Sequence, residues 1–152
     1  MGKIVLLMLG LGALVLGTAA VALARGGKDI AHAPVLRANT TVTGGGAIVG
    51  SQRAGSCSGY GEFWRLSLAR GDHLDLAYAS RNRLDVKIVL LDPSVSDANF
   101  NQKGPVGYGE TFGRDHFKYV AQTKGRYTVV LYTGYPCQPT LAYSLIAHVR
   151  HA

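Results

Sequence analysis

The chain has 152 residues, a formal net charge of +7 and 47% hydrophobic residues, against only 16% charged residues. This length allows one domain, and the apolar fraction excludes an intrinsically disordered chain. Two cysteines are too few for a disulfide-rich miniprotein or for a zinc site made of four thiolates.

Residues 1–24 have the pattern of an export signal. A short basic start with Lys3 precedes an apolar run that ends in the small residues Ala22 and Ala24. We interpret this segment as a signal peptide that is cleaved after Ala24, since its second half is rich in alanine and glycine. An uncleaved membrane anchor is the alternative, because about 20 apolar residues can span a bilayer. We therefore expect an exported protein, either periplasmic or extracellular.

The mature chain is expected to begin with an extended leader, residues 25–46, and to continue as strands. From residue 47 onward apolar and polar residues alternate, which is typical of strands with one buried face. Turn residues separate the runs, and Pro93 opens a long irregular loop that reaches Arg114. The predicted strands are 47–53, 63–68, 73–78, 85–91, 117–121, 127–132 and 141–149.

These seven short strands predict an all-β domain over residues 47–152. The expected architecture is a single antiparallel β-sandwich with jelly-roll or Greek-key connections.

The two cysteines, Cys57 and Cys137, are expected to form one disulfide, because exported proteins meet an oxidising environment. Closing a loop of about 80 residues would contribute roughly 4 kcal/mol by restricting the unfolded chain. A reactive Cys57 in a small hydrolase is the alternative, since residues 55–59 have the glycine spacing of a nucleophile elbow. That motif requires a following helix, and no helical pattern follows Gly59. We therefore expect no enzymatic activity.

Four segments occur in an order that resembles a known family. Residues 63–76 read as a strand, a glycine turn and a second alternating strand, and residues 84–93 as a strand ending in a Leu-x-Asp-Pro turn. Residues 124–132 contain a Gly-x-Tyr-x-Val hairpin, and residues 141–145 a closing strand. This order resembles bacterial pre-peptidase C-terminal domains. The resemblance implies a jelly-roll-like sandwich, usually appended to secreted hydrolases and associated with export, substrate engagement or stability.

Metal and cofactor sites are not expected. The histidines are scattered and form no recognised ligand motif, and acidic residues around the fourth strand are sparse. Residues 97–101 alternate Asp and Asn like a calcium loop, but they lack its glycine and its bidentate glutamate. The tripeptide Arg70-Gly71-Asp72 is explained by a hairpin turn, without an adhesion receptor.

The basic excess supplies the candidate binding residues. Alternation directs Arg65, Lys87 and Lys118 away from the apolar face of their strands. The loop tyrosines that we expect to stack against sugars are Tyr60, Tyr108 and Tyr135.

These residues predict a non-catalytic binding or accessory module of the cell envelope or secretome. Its expected partner is an anionic glycan, an envelope polymer or a secreted protein. Nucleic acid is not expected, because the chain carries an export signal and no nucleic-acid-binding motif. Membrane contact is expected only through the signal segment or surface charge.

A self-assembling structural subunit is the alternative function. Residues 39–43 of the leader would then add a strand to the sheet of a neighbouring copy, producing a homo-oligomer.

Overall fold

The computed structural model describes residues 26–46, 62–80, 86–100, 102–111, 114–133 and 141–152. The predicted signal peptide, the predicted strand at 47–53 and both cysteines lie outside the described residues. The described strands are β1 (Thr41–Gly46), β2 (Glu62–Leu68), β3 (His73–Ser80), β4 (Val86–Leu91), β5 (Gly107–Thr111), β6 (Arg114–Val120), β7 (Gly125–Thr133) and β8 (Leu141–Arg150).

The eight strands form two four-stranded antiparallel sheets. The first sheet has the order β1-β8-β3-β6, and the second has the order β2-β7-β4-β5. Most consecutive strands lie in different sheets, so the chain crosses repeatedly between two layers. The prediction of an all-β antiparallel sandwich is confirmed, with eight described strands where about seven were expected.

The main core lies between the two sheets, and alternation along the strands builds it. On β2 the side chains of Trp64, Leu66 and Leu68 are buried in this core, while Arg65 between them points outward. The same period of two holds on the other central strands. Further core residues are Leu74, Leu76, Tyr78, Ile88, Leu90, Tyr127, Val129, Leu131, Tyr143, Leu145, Ala147 and Val149.

The loop predicted to run to Arg114 ends earlier than expected, because β5 pairs with β4 from residue 107. The prediction of an irregular loop up to Arg114 is therefore wrong. Because β5 contains two glycines, its sequence does not show a clear alternation of apolar and polar residues. Gly107 is required by packing: a Cβ there would lie 2.8 Å from a ring carbon of Phe117 on β6. The sheet therefore uses glycine where the sequence alone indicates a break.

The predicted leader is part of the sandwich. We call residues 26–40 the strap. Gly27 forms an antiparallel bridge with Phe63, and Val35 forms a parallel bridge with Arg65, so the strap lies along the free edge of β2. The chain then continues into β1, where Thr41 is in register with Ile146 of β8. Residues 41–43, which the alternative function assigns to a neighbouring copy, pair with β8 of their own chain in this structure.

The strap and the loop after β4 cover the outward face of the second sheet. Ala33 and Val95 pack there against outward side chains of the sheet, and Ile30 and Phe100 lie at the margin. The outward residues beneath them are Phe63, Val89, Leu91 and Val130. We call this the covered face. We call the outward side of β3, β6 and β8 in the first sheet the open face, because exposed polar residues line it.

Candidate functional site

The open face brings charged side chains from three distant parts of the chain together. Strand β3 lies between β6 and β8, so each of its outward residues has a neighbour on both sides. Residues that are directly opposite each other on β6, β3 and β8 form rows across the sheet. The first row is Val120, His73 and Arg150, and the second row is Lys118, Asp75 and His148. The third row is His116, Ala77 and Ile146.

A groove of about 270 Å³ lies over the first two rows. The charged or titratable residues that line it are His73, Asp75, Lys118, Tyr119, His148 and Arg150. Lys118 and Arg150 stand on the strands that flank β3, on opposite sides of the groove. Because both side chains are positively charged at neutral pH, the groove attracts anions.

Asp75 is the carboxylate in this groove, and basic groups surround it. Its Oδ1 lies 3.1 Å from Nδ1 of His116, and both side chains are partly exposed to solvent. Lys118 and His148 stand directly opposite Asp75 on the two neighbouring strands. Residues directly opposite each other in an antiparallel sheet have Cβ atoms about 5 Å apart. Lys118 and His148, like His116, are therefore close enough to interact electrostatically with the Asp75 carboxylate.

The predicted binding residues are distributed over both sheets. Lys118 lies on the open face, whereas Arg65 on β2 and Lys87 on β4 belong to the second sheet. Arg65 is half-buried where its backbone pairs with the strap: its N–H donates to Pro34 O, and its carbonyl accepts from Leu36 N, both at 2.8 Å. The structure therefore does not bring the three cations together.

The predicted tyrosines are also apart from Lys118. Tyr108 is exposed on β5 of the second sheet, and Tyr60 and Tyr135 lie outside the described residues. Sequence reasoning missed His73, His148 and Arg150 as members of one site. Their alternation with apolar residues signals an outward orientation, but nothing in the sequence indicates that β3 and β8 are neighbours.

The Arg70-Gly71-Asp72 tripeptide forms a turn whose carboxylate is buried. Gly71 has a φ of 90°, and Asp72 is 2% exposed. The Asp72 carboxylate accepts a hydrogen bond from Ala69 N at 2.8 Å and contacts Nδ1 of His151 at 2.9 Å. These hydrogen bonds, first from the Ala69 backbone and then from His151, lower the pKa of Asp72 below its usual value. The Asp72 carboxylate therefore stabilises the turn and is too buried to contact a receptor.

The Asp97 region also has a structural role in the described fold. The Asp97 carboxylate accepts hydrogen bonds from the N–H groups of Ile30 at 2.9 Å and Ala31 at 3.1 Å, which fixes the strap. Asn99 accepts from Ser96 N at 2.8 Å and thereby stabilises the loop turn. Among the described residues, no group of three or more His, Cys, Asp or Glu side chains could hold a metal ion.

A buried polar cluster joins the strap to the core. Trp64 Nε1 donates to the Tyr143 hydroxyl at 2.9 Å, and that hydroxyl donates to the Glu62 carboxylate. The same carboxylate accepts from Gly26 N at 3.1 Å. Burial and the adjacent Glu62 charge raise the pKa of Tyr143 above its usual value, so the phenol stays protonated. We assign this cluster a structural role.

Within the described residues, no helix has the length and hydropathy needed to cross a membrane.

No family model and no curated protein sequence matches this chain. Several solved structures are similar to it, among them the following two. The pre-peptidase C-terminal domain of a collagenase from Bacillus anthracis is 17% identical, with a TM-score of 0.51 over 75% of this chain and 92% of that one. PliG from Aeromonas hydrophila, a periplasmic inhibitor of g-type lysozyme, is 12% identical, with a TM-score of 0.51 over 77% of this chain and 94% of that one.

At these identities the similarity establishes a shared fold and not a shared activity. Both structures match this chain over nearly their whole length, so the likeness extends beyond a single motif. The chain therefore has the β-sandwich fold of pre-peptidase C-terminal domains, as its sequence resemblance predicts.

Proposed function

We propose that this chain is an exported, non-catalytic accessory module that binds an acidic protein through its open face. The observation that carries this proposal is the contrast between the two outward faces of the sandwich. The covered face is occupied by the chain's own strap, whereas the open face presents Lys118, Arg150 and three histidines to solvent.

The composition of the open face favours a protein partner over a glycan. Sugar recognition commonly uses an aromatic ring as a stacking platform. Among the outward side chains described on β3, β6 and β8, none belongs to Phe, Tyr or Trp. Tyr108, the described member of the predicted sugar-stacking set, lies on the second sheet. A positively charged surface without an aromatic stacking platform is suited to binding the acidic side chains of a protein.

Protein binding and export both have a precedent in this fold. The neighbour PliG is described as a periplasmic inhibitor of g-type lysozyme. A sandwich of this kind can therefore act outside the cytoplasm by binding an enzyme, without catalysis of its own. The apolar N-terminal run and the basic start of this chain support its export through a signal peptide.

A pull-down with matched charge variants tests the proposal. The protein is expressed with its own signal sequence in its host, purified in processed form and immobilised. Host envelope and culture extracts are then passed over it at low and at high salt. The site variant is Lys118→Glu with Arg150→Glu. The control is Lys124→Glu with Arg126→Glu, which changes the net charge equally near the start of β7 in the second sheet.

We expect one acidic protein to be retained by the wild type and by the control, and to be lost from the site variant. Its retention should weaken as salt rises, because charges separated by more than about 8 Å are screened at physiological ionic strength. Equal loss from both variants would mean that net charge alone matters. Retention by the site variant, or retention of polysaccharide only, would also refute the proposal.

A further inference from the structure

The groove over His73 and Asp75 has the composition of a site that binds carboxylates with higher affinity at acidic pH. We propose that it binds an acidic side chain of the partner protein, and that binding tightens as the pH falls because His73 and His148 become protonated. This inference rests on the proposed function, since it names the chemistry by which the open face holds its partner.

Two permanent cations define the groove. Lys118 on β6 and Arg150 on β8 stand on either side of β3. Neighbouring strands lie about 4.8 Å apart, so the two flanking strands are separated by roughly 10 Å. Side chains of this length reach over β3 from both sides and can contact the same carboxylate. Arg150 also supplies the planar donor geometry that suits a carboxylate.

The histidines add charge that depends on pH. His73 is directly opposite Arg150, and His148 is directly opposite Asp75, so both imidazoles border the groove. An imidazole gains a proton, and with it a positive charge and a second N–H donor, as the pH falls below neutrality. Each protonated ring is a further partner for a bound carboxylate.

Asp75 makes the attraction of the groove for anions weaker at neutral pH and more dependent on the histidines. While the imidazoles are neutral, its negative charge opposes an incoming carboxylate and offsets part of the Lys118 attraction. Once they are protonated, the excess of positive charge over the Asp75 carboxylate increases. The charged and titratable groups of the open face are His73 and Asp75 from β3, Arg114, His116 and Lys118 from β6, and His148 and Arg150 from β8; the half-buried Tyr119 of β6 also lines the groove.

A labelled peptide measures this response directly. The probe is a peptide of alternating aspartate and serine, blocked at both ends and carrying a fluorophore. Its aspartates are ionised at both about pH 5.5 and about pH 7.5, so a change in affinity between these values belongs to the protein. Fluorescence anisotropy at constant low ionic strength gives the dissociation constant at each pH.

For the wild type we expect binding to strengthen about tenfold from the higher to the lower pH, the effect of two additional exposed ion pairs. The His73→Gln/His148→Gln variant should bind like the wild type at the higher pH and lose most of the increase, because of the histidines described on this face only His116, which contacts Asp75, remains. Lys118→Gln/Arg150→Gln should weaken binding at both values. Asp75→Asn should strengthen binding at the higher pH, because it removes the opposing charge.

His32→Gln is the matched control. His32 is an exposed histidine that contacts a carboxylate, with Nδ1 2.6 Å from Asp29 Oδ1, but it belongs to the strap. This variant should keep the full pH response. A wild type without a pH response, or an undiminished response in the His73/His148 variant, would overturn the inference. Thermal melts of each variant confirm that the fold is intact.

The two proposals fail in different ways. If the partner from the extract is lost from the Lys118/Arg150 charge variant but is held equally at both pH values, the carboxylate switch is wrong and the binding face stands. If that variant retains the partner while the peptide still binds more tightly in acid, the groove is an anion site and the proposed function is wrong.

Discussion

The outward faces of the two sheets differ in polarity and in whether the chain covers them. Both follow the same alternation, but four outward positions of the second sheet, Phe63, Val89, Leu91 and Val130, form a buried apolar cluster, whereas those of the first are largely polar. An antiparallel sheet can leave one face in water only if that face is polar. The second sheet therefore requires a cover, which the strap and the loop after β4 provide. The first sheet requires none and keeps its face accessible to a partner.

The strap also protects a sheet edge. Gly27 and Phe63 exchange two backbone hydrogen bonds, at 2.8 Å and 3.0 Å, along the outer edge of β2. Unpaired edges are sites of unwanted strand addition. The strap therefore occupies, within its own chain, an edge of β2 that would otherwise be open to strand addition.

The largest effect is expected where the strap enters the core. Leu36 is 1% exposed and belongs to the main cluster between the sheets. Leu36→Ala should lower the free energy of unfolding by about 3 kcal/mol, since it removes buried methyl groups and leaves a cavity. Urea denaturation monitored by Trp64 fluorescence measures the loss.

Its neighbour Val35 is the control, because 57% of Val35 is exposed. Val35→Ala should change the free energy of unfolding by less than about 0.5 kcal/mol. Equal effects at the two positions would show that the strap is not docked in solution, and the distinction between covered and open faces would fail.

The same substitution on the two outward faces compares them directly. Val130 on β7 is 1% exposed beneath the strap and loop, and Val120 on β6 is 41% exposed beside the groove. Val130→Ala should cost about 2 kcal/mol of stability, and Val120→Ala less than about 0.5 kcal/mol. Chemical denaturation of both variants gives the difference, and similar values would contradict the proposed covering.

Alternation predicted the strands whose residues face the main core, including 63–68, 73–78 and 127–132, because their period of two is strong. It missed β5, whose glycines pack against a ring, and the strap, whose buried Ala33 and Leu36 have no regular spacing. The alternation pattern predicted that Lys118 points outward, but it could not predict which residues lie beside Lys118 on the neighbouring strands. Those neighbours depend on the order β8-β3-β6, which joins segments far apart in the chain.

A glycine substitution tests whether β1 belongs to its own sheet. Gly44 is opposite Tyr143, and a Cβ at Gly44 would overlap the Tyr143 ring, which Trp64 and Glu62 hold in place. Gly44→Ala should therefore lower the free energy of unfolding by about 1.5 kcal/mol through overpacking. Gly104→Ala is the control, because no heavy atom lies within 4 Å of its Cβ position. If β1 instead paired with another copy, Gly44→Ala would alter assembly and spare the stability of the monomer.

The smallest effect concerns the turn that leads into β3 and its groove. Because the pKa of Asp72 is lower in the folded state than in the unfolded chain, the native state binds fewer protons at this group. The resulting stability is fully present above the unfolded pKa of about 3.9 and is lost as the pH falls through the folded pKa. The difference in melting temperature between wild type and Asp72→Asn should therefore be largest near neutrality and shrink in acid. His151→Ala should reduce the acid-dependent part, since His151 contacts the Asp72 carboxylate. A difference that stays constant with pH would mean that Asp72 acts through the shape of its turn and not through its charge.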